Sequence, residues 1–110
     1  MQGRWRVRLV RMWYVIRGHD AAGSLPIRRA ARGAHLARLA ELRAAGRLFV
    51  AGPLPAIDSS DPGPAGFAGS LVIAEFASLD AARTWANADP YLARGAWARA
   101  DVDPFVPVLP

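Results

Sequence analysis

The reactive side chains in this sequence are few, which makes their placement informative. It has two histidines, His19 and His35, nine acidic residues and no cysteine. Thiolate chemistry, disulfides and every Cys-ligated zinc or iron site are therefore excluded, and two imidazoles cannot supply a three-histidine zinc site. What remains is proton transfer, because imidazole is the side chain that ordinarily changes charge near neutrality. His35 stands in "RGAHLARL" (32–39), at the entrance of a stretch with helical spacing, whereas His19 lies in "RGHD" (17–20) and reads as a solvated turn residue. Asp58 and Asp61 share the Gly- and Pro-rich segment "LPAIDSSDPGPAGFAG" (54–69). Two carboxylates three apart on a loop fall short of the roughly six oxygen ligands of a hard cation, so they read as turn formers and no metal is expected.

The elements that must position these groups follow from the pattern. Trp13 to Arg17 is aromatic and β-branched, suited to a strand buried on both faces, and Gly18, His19 and Asp20 then supply turn chemistry. Ser24 caps a short turn containing Pro26. Gly33 costs about 1 kcal/mol against alanine inside a helix but is acceptable at an N-cap. The main helix is therefore predicted over Ala34 to Ala45, with Leu36, Leu39, Ala40 and Leu42 as its apolar stripe, Arg38 and Glu41 toward water, and Gly46 as its stop. Leu48 to Ala51 reads as a second strand ending at Gly52 and Pro53, and "SLVIAEF" (70–76) as a third. Ser78 caps a second helix with Leu79, Ala82, Trp85 and Ala86 on one face; it ends at Ala88-Asp89-Pro90, since a residue before proline avoids helical angles. Asp89 caps a short turn bearing Tyr91 and Leu92, and Trp97 to Phe105 supplies a fourth strand.

The resulting order, β, α, β, β, α, β, is that of an α+β ferredoxin-like sandwich. An antiparallel sheet with two helices on one face leaves its other face in need of cover. A homodimer packed sheet to sheet is the expected solution, with Trp13, Tyr14, Trp85 and Trp97 serving core and interface.

At 110 residues and 53% hydrophobic content the chain is sized for one domain. No run approaches the ~18 apolar residues of a spanning helix. Met12 to Ile16 is too short for the core of a secretory signal, and a cytoplasmic location is expected. All fourteen cations are arginine and the net charge is +5. Four of them, Arg4, Arg6, Arg8 and Arg11, sit in an acid-free segment, and the remainder of the chain carries +1. Residues 1–11 are thus set apart as a basic extension, mobile or prolonging the first strand, with Met12 as a candidate start of translation, and residues 12–110 form the domain. Such a balanced body lacks the clustered cations of a phosphate-tracking surface. RNA-recognition domains share the element order but need aromatics beside glycine and basic residues on central strands, which "RLFVAG" and "SLVIAEF" do not supply. Nucleic acid is not an expected partner.

From "MWYVIRGHD" onward the sequence resembles the YCII-related family, small ferredoxin-like proteins that form dimeric α/β barrels and are related in architecture to muconolactone isomerases. The resemblance is carried by "RGAHLARL" (32–39), "GRLFVAGPLPAIDSSDPGPAGFAGSLVIAEF" (46–76), "ANADPYLARG" (86–95) and "VDPF" (102–105), and spans residues 12 to 106. It implies a pocket centred on a histidine and an aspartate, which fall here on His35 and Asp89. In the first turn of a helix, exposed backbone N–H groups disfavour an imidazolium by about 0.3 to 1 kcal/mol, and a carboxylate in hydrogen-bond reach favours it more strongly. Asp89 would fix the tautomer and leave the second nitrogen of His35 to exchange a proton with a small-molecule substrate.

A covalent hydrolase triad has no support, since there is no Cys and no Ser is identified beside the imidazole. Muconolactone isomerases and dehydrochlorinase-like members of the broader group point to a lyase, isomerase or dehalogenation reaction on a small carbonyl compound, with no cofactor. The competing reading is a non-catalytic ligand-binding or assembly domain with the same dimeric fold. Gly52, Pro53, Asp58 and Ser70, which bracket or belong to the long loop, are assigned to the mouth of the pocket, and Arg32 to an anionic group on the substrate.

Overall fold

A computed structural model describes residues 11–110; the expectation that the basic segment ahead of them is mobile or prolongs the first strand lies outside the described residues. The elements are β1 (Met12–Asp20), α1 (Leu25–Ala44), β2 (Leu48–Pro55), β3 (Phe67–Phe76), α2 (Leu79–Asn87), α3 (Pro90–Ala93) and β4 (Trp97–Phe105). The four strands form one antiparallel sheet in the order β2-β3-β1-β4. This is the ferredoxin-like α+β arrangement, with α3 inserted ahead of the last strand.

In β1, Tyr14, Ile16 and Gly18 are buried while Trp13, Val15 and Arg17 are half-covered, the period-2 alternation of a sheet with one packed face. The strand is therefore buried on one face and not on both. It also runs on through Gly18 and His19 to Asp20, where a turn was expected. Gly18 pairs across to Ser70 and Ala100, and the indole of Trp97 fills the space that a side chain at 18 would need. Glycine is required there by that close approach.

Helix α1 starts at Leu25, well ahead of Gly33. Arg28, Ala31, His35 and Leu42 are all buried and fall at helical spacing, so the buried stripe begins before the glycine and the helix begins with it. Packing along that stripe outweighs the ~1 kcal/mol that an interior glycine costs. Ser24 occupies the N-cap position and Pro26 falls in the first turn, where its missing N–H is no loss. His35 consequently lies near the middle of α1, beyond the reach of the N-terminal dipole. The helix does stop as expected. Gly46 takes φ 70°, its N–H donates to the Arg43 carbonyl at 3.0 Å, and the Arg47 N–H donates to the Leu42 carbonyl at 2.9 Å, a Schellman closure.

Strand β2 continues past Gly52, pairing Pro53 with Ser70 and Leu54 with Gly69. The excursion between β2 and β3 thus shrinks to residues 56–66, which include a 3-10 turn at Gly63–Ala65. Pro53 and Pro55 in β2, and Pro104 in β4, are accommodated because both strands are sheet edges.

The main core brings Tyr14, Ile16, Val72 and Phe76 from the sheet against Leu42 of α1 and Ala86 of α2, each large apolar side chain contributing about 1.5–3 kcal/mol by leaving water. A second cluster joins Ala31 of α1, Tyr91 of α3, Ala96 just ahead of β4, and Trp97 of β4. Trp85 is half-buried in α2, and Trp13 lies on the uncovered sheet face with its ring 5.5 Å from Phe49.

Candidate active site

The second cluster packs against His35, which stands beside Asp89. His35 projects from the buried stripe of α1, and Asp89 sits at the α2–α3 junction in extended backbone conformation, where its Oδ1 accepts the Tyr91 N–H at 2.9 Å and caps α3. The same carboxylate meets His35 Nδ1 at 2.9 Å from each oxygen. Arg38, three residues beyond His35, brings Nη1 to 3.3 Å from Asp89 Oδ2, donates from Nη2 to the Trp85 carbonyl at 2.9 Å, and lies over the Trp85 ring at 4.2 Å. It therefore reaches inward to the aspartate and not simply toward water as the spacing suggested. Asp89 is 0% exposed, and a buried carboxylate requires this many partners.

Tyr91 stacks on the imidazole with ring centroids 4.1 Å apart and planes at 16°, while Trp97 meets it edge-on at 5.8 Å. The ring is thereby fixed by a hydrogen bond, a stacked face and an edge. The carboxylate occupies Nδ1, and Nε2 is the ring nitrogen that Asp89 does not contact.

His35 lines a cavity of about 320 Å³ between α1, α3 and the paired strands β2 and β3. Leu25, Leu36, Leu39 and Phe67 give it apolar walls, and Arg28, Arg29, Arg32 and Ser70 its polar groups. Gly52 and Pro53 border it from β2. The structure thus brings Arg32, Gly52, Pro53 and Ser70 to the cavity with His35. Asp58 does not join them. It is exposed on the 56–66 loop, which contributes no residue to the cavity lining. His19 is in β1, with Nε2 2.7 Å from Asp101 Oδ2, and so is a paired strand residue instead of a solvated turn residue. Among the described residues, no cluster of three His, Asp or Glu side chains converges as a metal ion would need.

Arg28 is the most buried of the arginines that sequence reasoning missed. Its Nε donates to Asp20 Oδ2 at 3.0 Å, and its Nη2 donates to the Gly69 carbonyl at 2.7 Å and to Ser70 Oγ. The guanidinium lies 4.8 Å from the Phe67 ring centroid and 4.7 Å from that of Tyr91, near enough for cation–π attraction to both. Burial pushes the Asp20 carboxyl up from its ordinary range, and Arg28 opposes that shift. Burial likewise raises the Tyr91 phenol against the pull of Arg28. The available signal was positional, since residues 28, 31 and 35 share one helical face.

Comparison with known proteins agrees with this architecture. The YCII-related domain matches residues 12–106. Protein YciI of Escherichia coli O6:H1 is 58% identical over 98 residues, covering 89% of this chain and 100% of that protein. An uncharacterized protein of Haemophilus influenzae is 50% identical over 98 residues, with the same coverage. Among solved structures, the chain is similar to 5-chloro-2-hydroxyhydroquinone dehydrochlorinase (TftG) from Burkholderia phenoliruptrix AC1100 in complex with 2,5-dihydroxybenzoquinone, at a TM-score of 0.74 and 32% identity, over 86% of this chain and 94% of that one. That neighbour has the ferredoxin-like fold of dimeric α/β barrels. With the domain matched over residues 12–106 and relatives at 50–58% identity along their full length, the chain belongs to the YCII-related family.

Proposed function

We propose that this protein is a small-molecule enzyme that moves protons at His35, acting on a small carbonyl compound in an isomerase, lyase or dehalogenation reaction. The observation that carries the reading is a single constellation: His35 Nδ1 lies 2.9 Å from both oxygens of a buried Asp89 while the ring lines an open cavity. In this mechanism His35 starts neutral, with Nδ1–H donated to Asp89. Nε2 takes a proton from the carbon beside the carbonyl, and Asp89 stabilises the imidazolium that forms. Returning that proton to another carbon isomerises the substrate; alternatively, the pair left by the broken C–H bond forms a new C=C bond while a leaving group on the neighbouring carbon departs with its own bonding pair, which completes an elimination. Apolar walls limit the water that would compete for the proton. The dehydrochlorinase of similar fold supports a reaction of this class. The reading includes a homodimer, in which a second copy covers the sheet face bearing Trp13, Val15 and Val50.

The test is deuterium uptake. Candidate carbonyl compounds are incubated with the protein in D₂O and followed by NMR. His35→Gln should slow exchange by about 10²- to 10⁴-fold, the usual contribution of a general base, with circular dichroism confirming that the variant folds. Undiminished exchange in His35→Gln would overturn the assignment. Saturable ligand binding with no exchange in the native protein would establish the binding-domain reading in its place.

A further inference from the structure

The cavity holds more positive charge than the fold uses. Arg28 is committed, through Nε to Asp20 and through Nη2 to Gly69 and Ser70. Arg29 and Arg32 line the same cavity but are exposed and make no ion pair among the described residues. Residues 1–10 contain no acid that would pair with them, and no Asp or Glu lines the cavity. Three residues apart on one helix, the two guanidinium groups are neighbours that repel each other. An anion placed between them relieves that repulsion. Leu25, Leu36, Leu39 and Phe67 line much of the rest, beside the committed Arg28–Ser70 pair, so most of the remainder of such a ligand would be hydrocarbon.

We propose that the substrate carries a carboxylate, which Arg29 and Arg32 hold while the carbon skeleton packs on Leu36 and Phe67 and presents its reacting C–H to His35 Nε2. The proposal rests on the proton-transfer reading for the role of His35 and adds the chemical class of the molecule that it acts on. A carboxylate fits better than a phenolate. The planar fork of each guanidinium matches two coplanar oxygens, whereas a phenolate offers one. A volume of about 320 Å³ is at the lower end for small-molecule sites, which suits one ring or a short chain and not a nucleotide. Anchoring the carboxylate at the arginines also fixes which carbon faces the base, and positioning of that kind accelerates a bound reaction.

The experiment uses the full chain and three probes of similar shape: benzoate, neutral benzamide and 4-nitrophenolate at a pH where it is ionised. Affinities are measured by ligand-observed NMR titration. Benzoate should bind at least tenfold more tightly than either of the others. Arg29→Gln/Arg32→Gln, both at exposed positions, should lose that advantage while leaving benzamide affinity unchanged. His35→Gln should retain benzoate binding, which separates this proposal from the catalytic one: if the arginines are needed for benzoate yet no compound exchanges protons in the native protein, the carboxylate site stands and the catalytic reading falls. Equal affinity for benzoate and benzamide, preference for the phenolate, no benzoate binding at millimolar concentration, or full benzoate affinity in the double variant would each overturn the proposal.

Discussion

One carboxylate performs two tasks in this molecule. Asp89 caps α3 through the Tyr91 N–H and holds His35 through Nδ1, so the backbone turn that places Tyr91 against the imidazole is built by the group that orients the imidazole. His35 and Asp89 were legible through the family pattern. Their neighbours Arg28, Arg38 and Tyr91 were not, because an arginine is ordinarily expected at the surface, and only the fold shows that Asp20, the Gly69 carbonyl and Ser70 converge on Arg28. Arg28 yields a prediction at this scale. Arg28→Leu leaves a buried carboxylate without its counter-charge and should destabilise the protein by about 3–5 kcal/mol near neutral pH. The pH dependence follows from Asp20, whose carboxyl is held above its ordinary range by burial. Stability from such a group is fully present below its unfolded value, about 3.9, and is lost as pH rises through the raised folded value. Removing Arg28 raises that folded value further, so the deficit should be greatest near neutrality and shrink on acidification toward that unfolded value. Urea denaturation across that range measures it; a deficit independent of pH would show that lost packing, and not charge, is what Arg28 contributes.

At the scale of elements, the strand and helix order was readable, but the start of α1 was not. Gly33 looked like a boundary because the buried residues ahead of it, Arg28 and Ala31, do not form an apolar pattern in the sequence. The same position now gives a contrast between two glycines. A side chain at Gly33 would meet nothing within 4 Å, and its backbone is helical, so Gly33→Ala should stabilise by about 1 kcal/mol. Gly46 also has open space around it but takes φ 70°, and Gly46→Ala should destabilise by about 1 kcal/mol through backbone strain alone. Thermal or urea midpoints of the two variants should move in opposite directions; movement in the same direction would refute the helix boundaries. The loop was overread for a related reason, since prolines at 53 and 55 look like breaks although an edge strand tolerates them.

For the whole molecule, the ferredoxin-like order was legible from the alternation of strand and helix patterns, and the uncovered sheet face followed from it. Phe49 and Val50 remain 47% and 49% exposed there. A homodimer predicts light-scattering mass of twice the 11.8 kDa chain at micromolar concentration, and Val50→Glu should shift it to monomer by burying a charge in an apolar interface. A native monomer at that concentration would remove the dimer from the proposal. The prolines on β2 and β4 carry one more consequence. The two edge strands both carry residues without an N–H, two in β2 and one near the end of β4, which shortens the row of donors on which another strand could template. Lateral accretion, the route by which exposed sheets seed fibrils, is thereby discouraged along β2, where Pro53 and Pro55 remove two N–H groups, and at the far end of β4, where Pro104 removes one.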